Sequence, residues 1–213
     1  MADKYLTVNA IVVKYSDFSE SSRILTLFSD EYGLIKAVAK GAKRKGSKNL
    51  PLTLLYAFGK FELVRGAGDL FTLSGGELTE NFYSLSEDID RYTAAAEITR
   101  ELLRNAVQES PEPEVLRLYL NTLFALSYTK TDPGLIRSVF TLRLNYELGF
   151  IPGPEELART RIQTGTEMPG EAFKQAVGHI LTGDIRKLYG FSASDDIKNS
   201  LAAMADRIRT EDR

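Results

Sequence analysis

The residues of this chain best suited to chemistry are positive charges gathered in one segment. Residues 32–61 contain seven basic side chains and no acidic one, although the whole chain of 213 residues has a formal net charge of -2. The seven are Lys36, Lys40, Lys43, Arg44, Lys45, Lys48 and Lys60. Such a concentration of cations favours a polyanionic partner, because each neutralised phosphate releases condensed counterions. A solvated surface loop is the alternative explanation.

A nucleotide-binding loop is not expected in this segment. The run from Gly41 to Lys48 has the glycines and basic residues of a P-loop, but Ser47 precedes Lys48, the reverse of the G-x-x-x-x-G-K-[ST] order. Pro51 also disfavours the helix that a P-loop must open. The charges therefore point to phosphate backbones rather than to a bound nucleotide.

Other residue types do not assemble a catalytic or metal site in the sequence. His179 is the single histidine and lies on a predicted helix among apolar residues, where a structural role is the commoner one. The sequence has no Cys, which excludes disulfides, thiol nucleophiles and thiolate metal sites. The paired acids Asp195 and Asp196 suit a helix start. We expect no enzymatic activity, no cofactor and no metal ion.

The length and composition suit one large domain or two small ones. Apolar residues make up 43% of the chain, which is enough for a substantial core. The sequence shows neither the basic-then-apolar start of a signal peptide nor an apolar run of about 18 residues. We therefore expect a cytoplasmic protein.

The secondary-structure elements on either side of the basic residues are predicted to be strands. Five short segments with glycine punctuation predict a small β-barrel over residues 1–80: 6–15, 22–29, 33–39, 52–64 and 70–73. Gly59 is expected to mark a bulge or bend in the fourth strand, and Gly75 and Gly76 to follow the fifth. The basic run then connects the third strand to the fourth.

The remainder of the chain, residues 81–213, has the apolar spacing of helices. Helices are predicted at 90–109, 114–128, 133–148, 171–181 and 194–208, with a loop region at 151–170. Asp132 followed by Pro133 predicts a helix start, and Gly149 predicts a C-terminal cap. The fold class expected is α+β, with a helical domain after the barrel.

The segment Ala39-Lys40-Gly41-Ala42-Lys43-Arg44 at the start of the basic run is the most specific match in the sequence to a known family: it resembles the RecO family of bacterial recombination mediators. It is supported by weaker matches at 10–13, 15–20, 23–29, 32–34, 51–52, 73, 77–78, 101–103, 140–144 and 148–152. The resemblance covers about the first 152 residues and thins beyond them. It implies that the barrel is an OB-fold.

The resemblance also implies a function and partners. Proteins of this family bind single- and double-stranded DNA and anneal complementary strands without a nucleotide cofactor. They engage the acidic C-terminal tail of single-stranded DNA-binding protein and, together with RecR, help to load the recombinase RecA. The expected location is the bacterial cytoplasm, in association with the nucleoid. An RNA-binding barrel and a protein-interaction adaptor are the alternatives.

The resemblance further suggests residues for each role. The DNA-contacting set is Lys36, Lys40, Lys43, Arg44, Lys45 and Lys48, with Arg23 and Arg65 as weaker candidates. Arg137 and Arg143, on the third predicted helix, are candidates for binding the acidic partner tail. One or two barrel aromatics are expected to stack bases, although alternation alone does not select them. Many relatives carry a four-Cys zinc module after the Gly-Phe/Tyr-x-Pro segment, which this sequence cannot form.

Overall fold

A computed structural model describes residues 5–66, 68, 70–106, 110–159 and 170–211. The chain divides into two compact units. The first comprises Met1–Tyr83 with Leu102–Leu116, and the second comprises Ser84–Glu101 with Arg117–Arg213. The expected domain boundary after residue 80 stays a prediction. The predicted fold class is confirmed, since a five-stranded barrel is followed by helices.

The barrel is closed, with the strand order β1-β2-β3-β5-β4. Its strands are β1 (Tyr5–Asp17), β2 (Arg23–Ser29), β3 (Gly33–Ala39), β4 (Phe58–Arg65) and β5 (Leu70–Glu80). Neighbouring strands are antiparallel, except that β3 and β5 are parallel. This is the OB-type barrel expected from the sequence.

The barrel core consists of residues that recur at every second position of the strands, as half-buried strands require. Val8, Ala10 and Val12 point inward from β1, and Leu25 and Leu27 point inward from β2. The other members from the strands are Ile35, Ala37, Ala39, Phe61, Leu63 and Leu73. The residues between them on β1, β2 and β3 therefore lie on the outer face of the sheet.

The prediction of one strand over 52–64 is wrong for its first half. Pro51–Thr53 is a short 3₁₀ helix, and β4 begins at Phe58. Pro51 suits the start of a helical turn because its φ angle is already set. Apolar residues of this half still pack into the barrel core although they are not in a strand, since Leu52 and Ala57 are buried there.

Glycines set how closely β4 and β5 approach. The register shifts between Phe58 and Gly59, which confirms the predicted bulge. A Cβ atom on Gly59 would lie 2.1 Å from the Glu77 carbonyl oxygen, and one on Gly76 would lie 2.2 Å from the Lys60 carbonyl oxygen. Gly75 and Gly76 lie inside β5 and do not follow it, because the strand continues to Glu80.

The helices are α1 (Ile89–Asn105), α2 (Pro113–Tyr128), α3 (Pro133–Glu147), α4 (Pro154–Arg159), α5 (Glu171–Thr182) and α6 (Asp195–Glu211). The Asp132 side chain accepts a hydrogen bond from the Leu135 N–H at 2.8 Å, which confirms it as the N-cap of α3. Gly149 follows that helix with a φ of 75°, as a left-handed cap does. Helix α4 occupies part of the expected loop region, whereas residues 107–109 and 160–169 lie outside the described residues.

A buried polar cluster joins three helices of the second unit. Glu101 of α1 is buried and accepts a hydrogen bond from the Thr141 hydroxyl of α3 at 2.8 Å. Arg209 of α6 donates to the same carboxylate at 3.2 Å and to the Thr141 hydroxyl oxygen at 2.6 Å. Leu201 and Met204 of α6 are also buried. None of the helices in the described part of the chain combines the length and hydropathy needed to span a membrane.

Candidate nucleic-acid interface

The basic segment forms a loop that is fixed at its base. We call residues 40–50 the basic loop and residues 18–22 the β1–β2 turn. The Gly41 N–H donates to the Ser22 hydroxyl at 3.2 Å, and the Lys43 N–H donates to the Ser21 carbonyl at 3.0 Å. Ala42 between them is fully buried in the barrel core. The basic loop is thereby held beside the β1–β2 turn.

Beyond this anchor the loop is built from consecutive turns. The Arg44 N–H donates to the Gly41 carbonyl at 3.1 Å, and the Ser47 N–H donates to the Arg44 carbonyl at 3.0 Å. Gly41 and Gly46 have φ angles of 66° and 79°, a conformation that favours glycine. The chain therefore reverses direction within a few residues and leaves its basic side chains at the surface.

Six exposed cations lie on this loop and on the outer face of the neighbouring strands. We call them the barrel cations: Lys14, Lys36, Lys40, Arg44, Lys45 and Lys48. None of them forms an ion pair with a residue that the structure describes. An exposed cation without an acidic neighbour keeps its full attraction for a phosphate, since no internal ion pair must be broken first.

Lys14 belongs to this surface although the sequence analysis did not select it. It lies opposite Thr26 of β2, and Thr26 in turn lies opposite Lys36 of β3. The two lysines thus share the outer face, on strands separated by one neighbour, or about 10 Å. Simple alternation from the inward-facing Val12 would place Lys14 inside the barrel, but a register shift between these two residues turns it outward. Recognising the bulge would have been needed to place Lys14 outward.

Two of the predicted DNA-contacting residues are held by an acid. The Lys43 Nζ atom lies 2.8 Å from the Asp17 carboxylate, and the Arg23 Nε atom lies 3.4 Å from it. The hydrogen bond from Lys43, and more weakly the charge of Arg23, hold the pKa of the Asp17 carboxyl below its usual value. Both cations are therefore partly neutralised within the fold.

Arg23 has further contacts that fix it at the end of the barrel. Its guanidinium donates to the carbonyl and hydroxyl oxygens of Thr53, at 3.1 and 3.3 Å. It also lies over the Tyr15 ring, with the guanidinium carbon 4.4 Å from the ring centroid. Arg65, the other weaker candidate, is exposed at the end of β4 and lies over the Phe71 ring at 5.1 Å. DNA contact by either residue stays a prediction.

The aromatic side chains of the barrel separate into buried and exposed groups. The buried ones are Phe28, Tyr56 and Phe61, and Phe58 and Phe71 are partly buried. The exposed ones are Tyr5, Tyr15, Phe18 and Tyr32. The candidates for stacking on a base are thereby reduced to the exposed four.

The two residues suggested for partner binding have internal contacts in the second unit. Arg137 of α3 pairs with Glu97 of α1 and lies 3.9 Å from the Asp206 carboxylate of α6. Arg143 donates to Glu147 at 2.6 Å and to the carbonyl oxygens of Ile180 and Gly183 at 3.1 Å each. These contacts tie α3 to its neighbours. A role in binding an acidic tail stays a prediction for both residues.

The acids and the histidine that the structure describes form no metal-ligand cluster. Across the described ranges, no group of three or more His, Asp or Glu side chains is arranged to hold a metal ion. The ring of His179 packs edge-on against Phe191, with the centroids 5.3 Å apart.

Comparison with known proteins matches the barrel and the helices that follow it to two models of the same family. A family model described as "Recombination protein O N terminal" matches residues 1–82, and one described as "Recombination protein O C terminal" matches residues 86–163. The chain is 27% identical to the DNA repair protein RecO of Acetivibrio thermocellus over 230 residues, covering 97% of this chain and 91% of that protein.

Two further relatives are more similar over a shorter region. The identity is 32% over 163 residues to DNA repair protein RecO of Desulfitobacterium hafniense, covering 76% of this chain and 57% of that protein. It is 33% over 156 residues to DNA repair protein RecO of Listeria monocytogenes, covering 73% and 60% respectively. The chain therefore spans less than two thirds of these two relatives in the matched region. With both family models matched on a closed barrel followed by helices, the chain belongs to the RecO family.

Proposed function

We propose that this protein is a DNA repair and recombination mediator that binds DNA through its barrel without enzymatic activity. The observation that carries the proposal is the set of six barrel cations, exposed and without ion pairs among the described residues. The face of strands 2 and 3 of OB-folds, with the loops between strands 1 and 2 and between strands 4 and 5, commonly binds oligonucleotides. Here the cations occupy β1, β3 and the loop that follows β3.

The binding proposed is independent of base sequence. Cations that contact phosphates supply affinity and orientation, but they read no base edges. The strength of binding should therefore follow the salt concentration rather than the order of bases. Lys43 and Arg23 serve mainly to hold the loop and the barrel end around Asp17, and they reach DNA only when that pairing is exchanged.

Membership of the family supports the finer steps of the proposed role. These are annealing of complementary strands, engagement of the acidic tail of single-stranded DNA-binding protein, cooperation with RecR and help in loading RecA. A protein that acts on chromosomal DNA would work in the bacterial cytoplasm, at the nucleoid. Neutralising phosphates on two strands also favours annealing directly, because it reduces their mutual repulsion.

Binding and annealing assays on the purified chain test the proposal. We expect single- and double-stranded oligonucleotides to bind, with a Kd that rises steeply between 50 and 200 mM salt. We also expect faster annealing of complementary strands, both free and coated with single-stranded DNA-binding protein. A Kd that does not respond to salt would contradict the phosphate mechanism. A clear preference for RNA oligonucleotides in competition would favour an RNA-binding barrel instead.

A further inference from the structure

The outer face of β1, β2 and β3 combines positive charge with one exposed aromatic ring. The row Lys14–Thr26–Lys36 crosses the three strands, and the next row consists of Ser16, Ile24 and Val38. Neither row contains an acid. Ile24 is partly exposed at the centre of this face, whereas Val38 beside it is buried.

Phe18 and Lys40 lie just beyond one end of this face. Phe18 directly follows the last residue of β1, and Lys40 directly follows the last residue of β3. Ser22 links the two segments, because its carbonyl accepts the Phe18 N–H at 3.0 Å and its hydroxyl accepts the Gly41 N–H at 3.2 Å. The backbones of the β1–β2 turn and of the basic loop are thus held together at this end of the face.

The position of Phe18 is unusual for so apolar a side chain. The residue is 64% exposed, in a turn where no core demands it. Its backbone is fixed by the bond to Ser22, and a second bond joins the Ser19 N–H to the same carbonyl at 3.3 Å. An aromatic ring on a rigid turn costs little entropy when it orders against a ligand.

The other exposed aromatics of the barrel do not share this setting. The Arg23 guanidinium lies over the Tyr15 ring and so occupies one of its faces. Tyr5 is at the opposite end of β1, and Tyr32 lies in the turn between β2 and β3, at the other end of β2. Among the described barrel residues, Phe18 is the exposed aromatic at this end of the barrel whose ring is not covered by an arginine.

We propose that Phe18 stacks on a base of single-stranded DNA whose phosphates are held by Lys36 and Lys40, and so gives the protein a preference for single strands. This inference rests on the proposed function. Every base offers an aromatic face, so stacking adds affinity without adding sequence specificity. In a duplex the faces are covered by neighbouring pairs, and Phe18 then contributes little. The lysines bind the phosphates of single-stranded and duplex DNA alike, whereas the Phe18 ring adds affinity for single strands alone.

Substitution of Phe18, with three matched comparisons, tests the inference. Phe18→Ala should weaken binding of a dT oligonucleotide by about 5- to 150-fold, the range that loss of one stacked base gives. Binding of a duplex of the same length should change by less than about twofold. Phe18→Tyr should retain single-strand affinity, and Tyr5→Ala, which removes an exposed ring at the far end of β1, should leave both affinities unchanged.

An abasic oligonucleotide separates stacking from phosphate binding. The wild-type protein should prefer dT over an abasic chain of the same length, and Phe18→Ala should lose that preference while keeping its salt dependence. If Phe18→Ala binds single strands as the wild type does, or loses duplex affinity equally, the stacking role is wrong and the phosphate mechanism still stands. If the wild type binds neither form, the proposed function fails, and this inference fails with it.

Discussion

Removing the cations of the basic loop should remove most of the salt dependence of DNA binding. The variant replaces Lys40, Arg44, Lys45 and Lys48 with Ala and leaves the anchoring residues Ala42 and Lys43 in place. Because the four side chains are exposed and form no ion pairs with described residues, their loss should not affect folding. Its effect should therefore appear in DNA binding alone.

The magnitude follows from the number of phosphates that the barrel cations can neutralise. If each of the six contacts one phosphate of a single strand, the slope of log K against log salt is about -4.2, or about -0.7 per contact. The affinity then falls about 300-fold between 50 and 200 mM salt. The variant retains two of the six, which gives a slope of about -1.4 and a fall of about sevenfold.

Fluorescence anisotropy of a labelled dT oligonucleotide at several salt concentrations measures both slopes. The matched control replaces Lys174, Arg186, Lys187 and Lys198, which lie in the helical unit, and removes the same total charge. Its slope should equal that of the wild type. A basic-loop variant that keeps a slope near -4, or a control that loses as much, would refute the assignment of these cations to DNA phosphates.

Three further substitutions, two of them with a matched control, test other features of the fold and the site. Asp17→Asn should strengthen DNA binding in the same assay, because it frees Lys43 from its ion pair. It should also make the loss of stability below about pH 4 smaller, since the pKa of the Asp17 carboxyl is lowered by folding and the variant removes that contribution. Gly59→Ala should lower the free energy of unfolding in urea by about 1–3 kcal/mol, because the added Cβ meets the β5 backbone. Gly178→Ala in α5 is the control: its Cβ would meet no atom within 4 Å, so it should raise the free energy of unfolding by up to about 1 kcal/mol. Arg143→Ala should cost about 2 kcal/mol or more in thermal unfolding, because a side chain only 11% exposed loses its charged hydrogen bonds. Arg186→Ala, whose side chain is 82% exposed, is the control and should leave the unfolding temperature unchanged.

Local rules in the sequence were enough to predict most of the barrel and the helices. Alternating apolar residues with glycine turns predicted five strands, and Asp132 with Pro133 predicted the start of α3. These rules failed where apolar residues fill the core from a loop rather than from a strand. Leu52 lies in a 3₁₀ turn that reaches the core from a loop, so an apolar run there was mistaken for a strand.

The basic loop could be predicted from the sequence, but the ion pairs of its side chains could not. The concentration of basic residues identified the loop, yet nothing in the sequence relates Lys43 to Asp17, which lies 26 positions earlier. The closed barrel brings Lys43 and Asp17 together, and this contact distinguishes Lys43 from the loop cations that have no ion pair with a described residue. Lys14 was missed for a related reason, since a one-residue bulge changes which side chains of β1 face outward.

The parallel ladder between β3 and β5 has a consequence for the stability of the barrel against aggregation. The ladder joins Lys36 to Leu70, Ala37 to Phe71 and Val38 to Thr72, and it is the pairing that turns a curved sheet into a ring. Were it to open, two strand edges would be exposed to pairing with other chains. Lys36 lies on this ladder, and a lysine on a strand edge discourages pairing with another chain because its charge would have to be buried. This side chain would therefore protect a transiently opened barrel from aggregation.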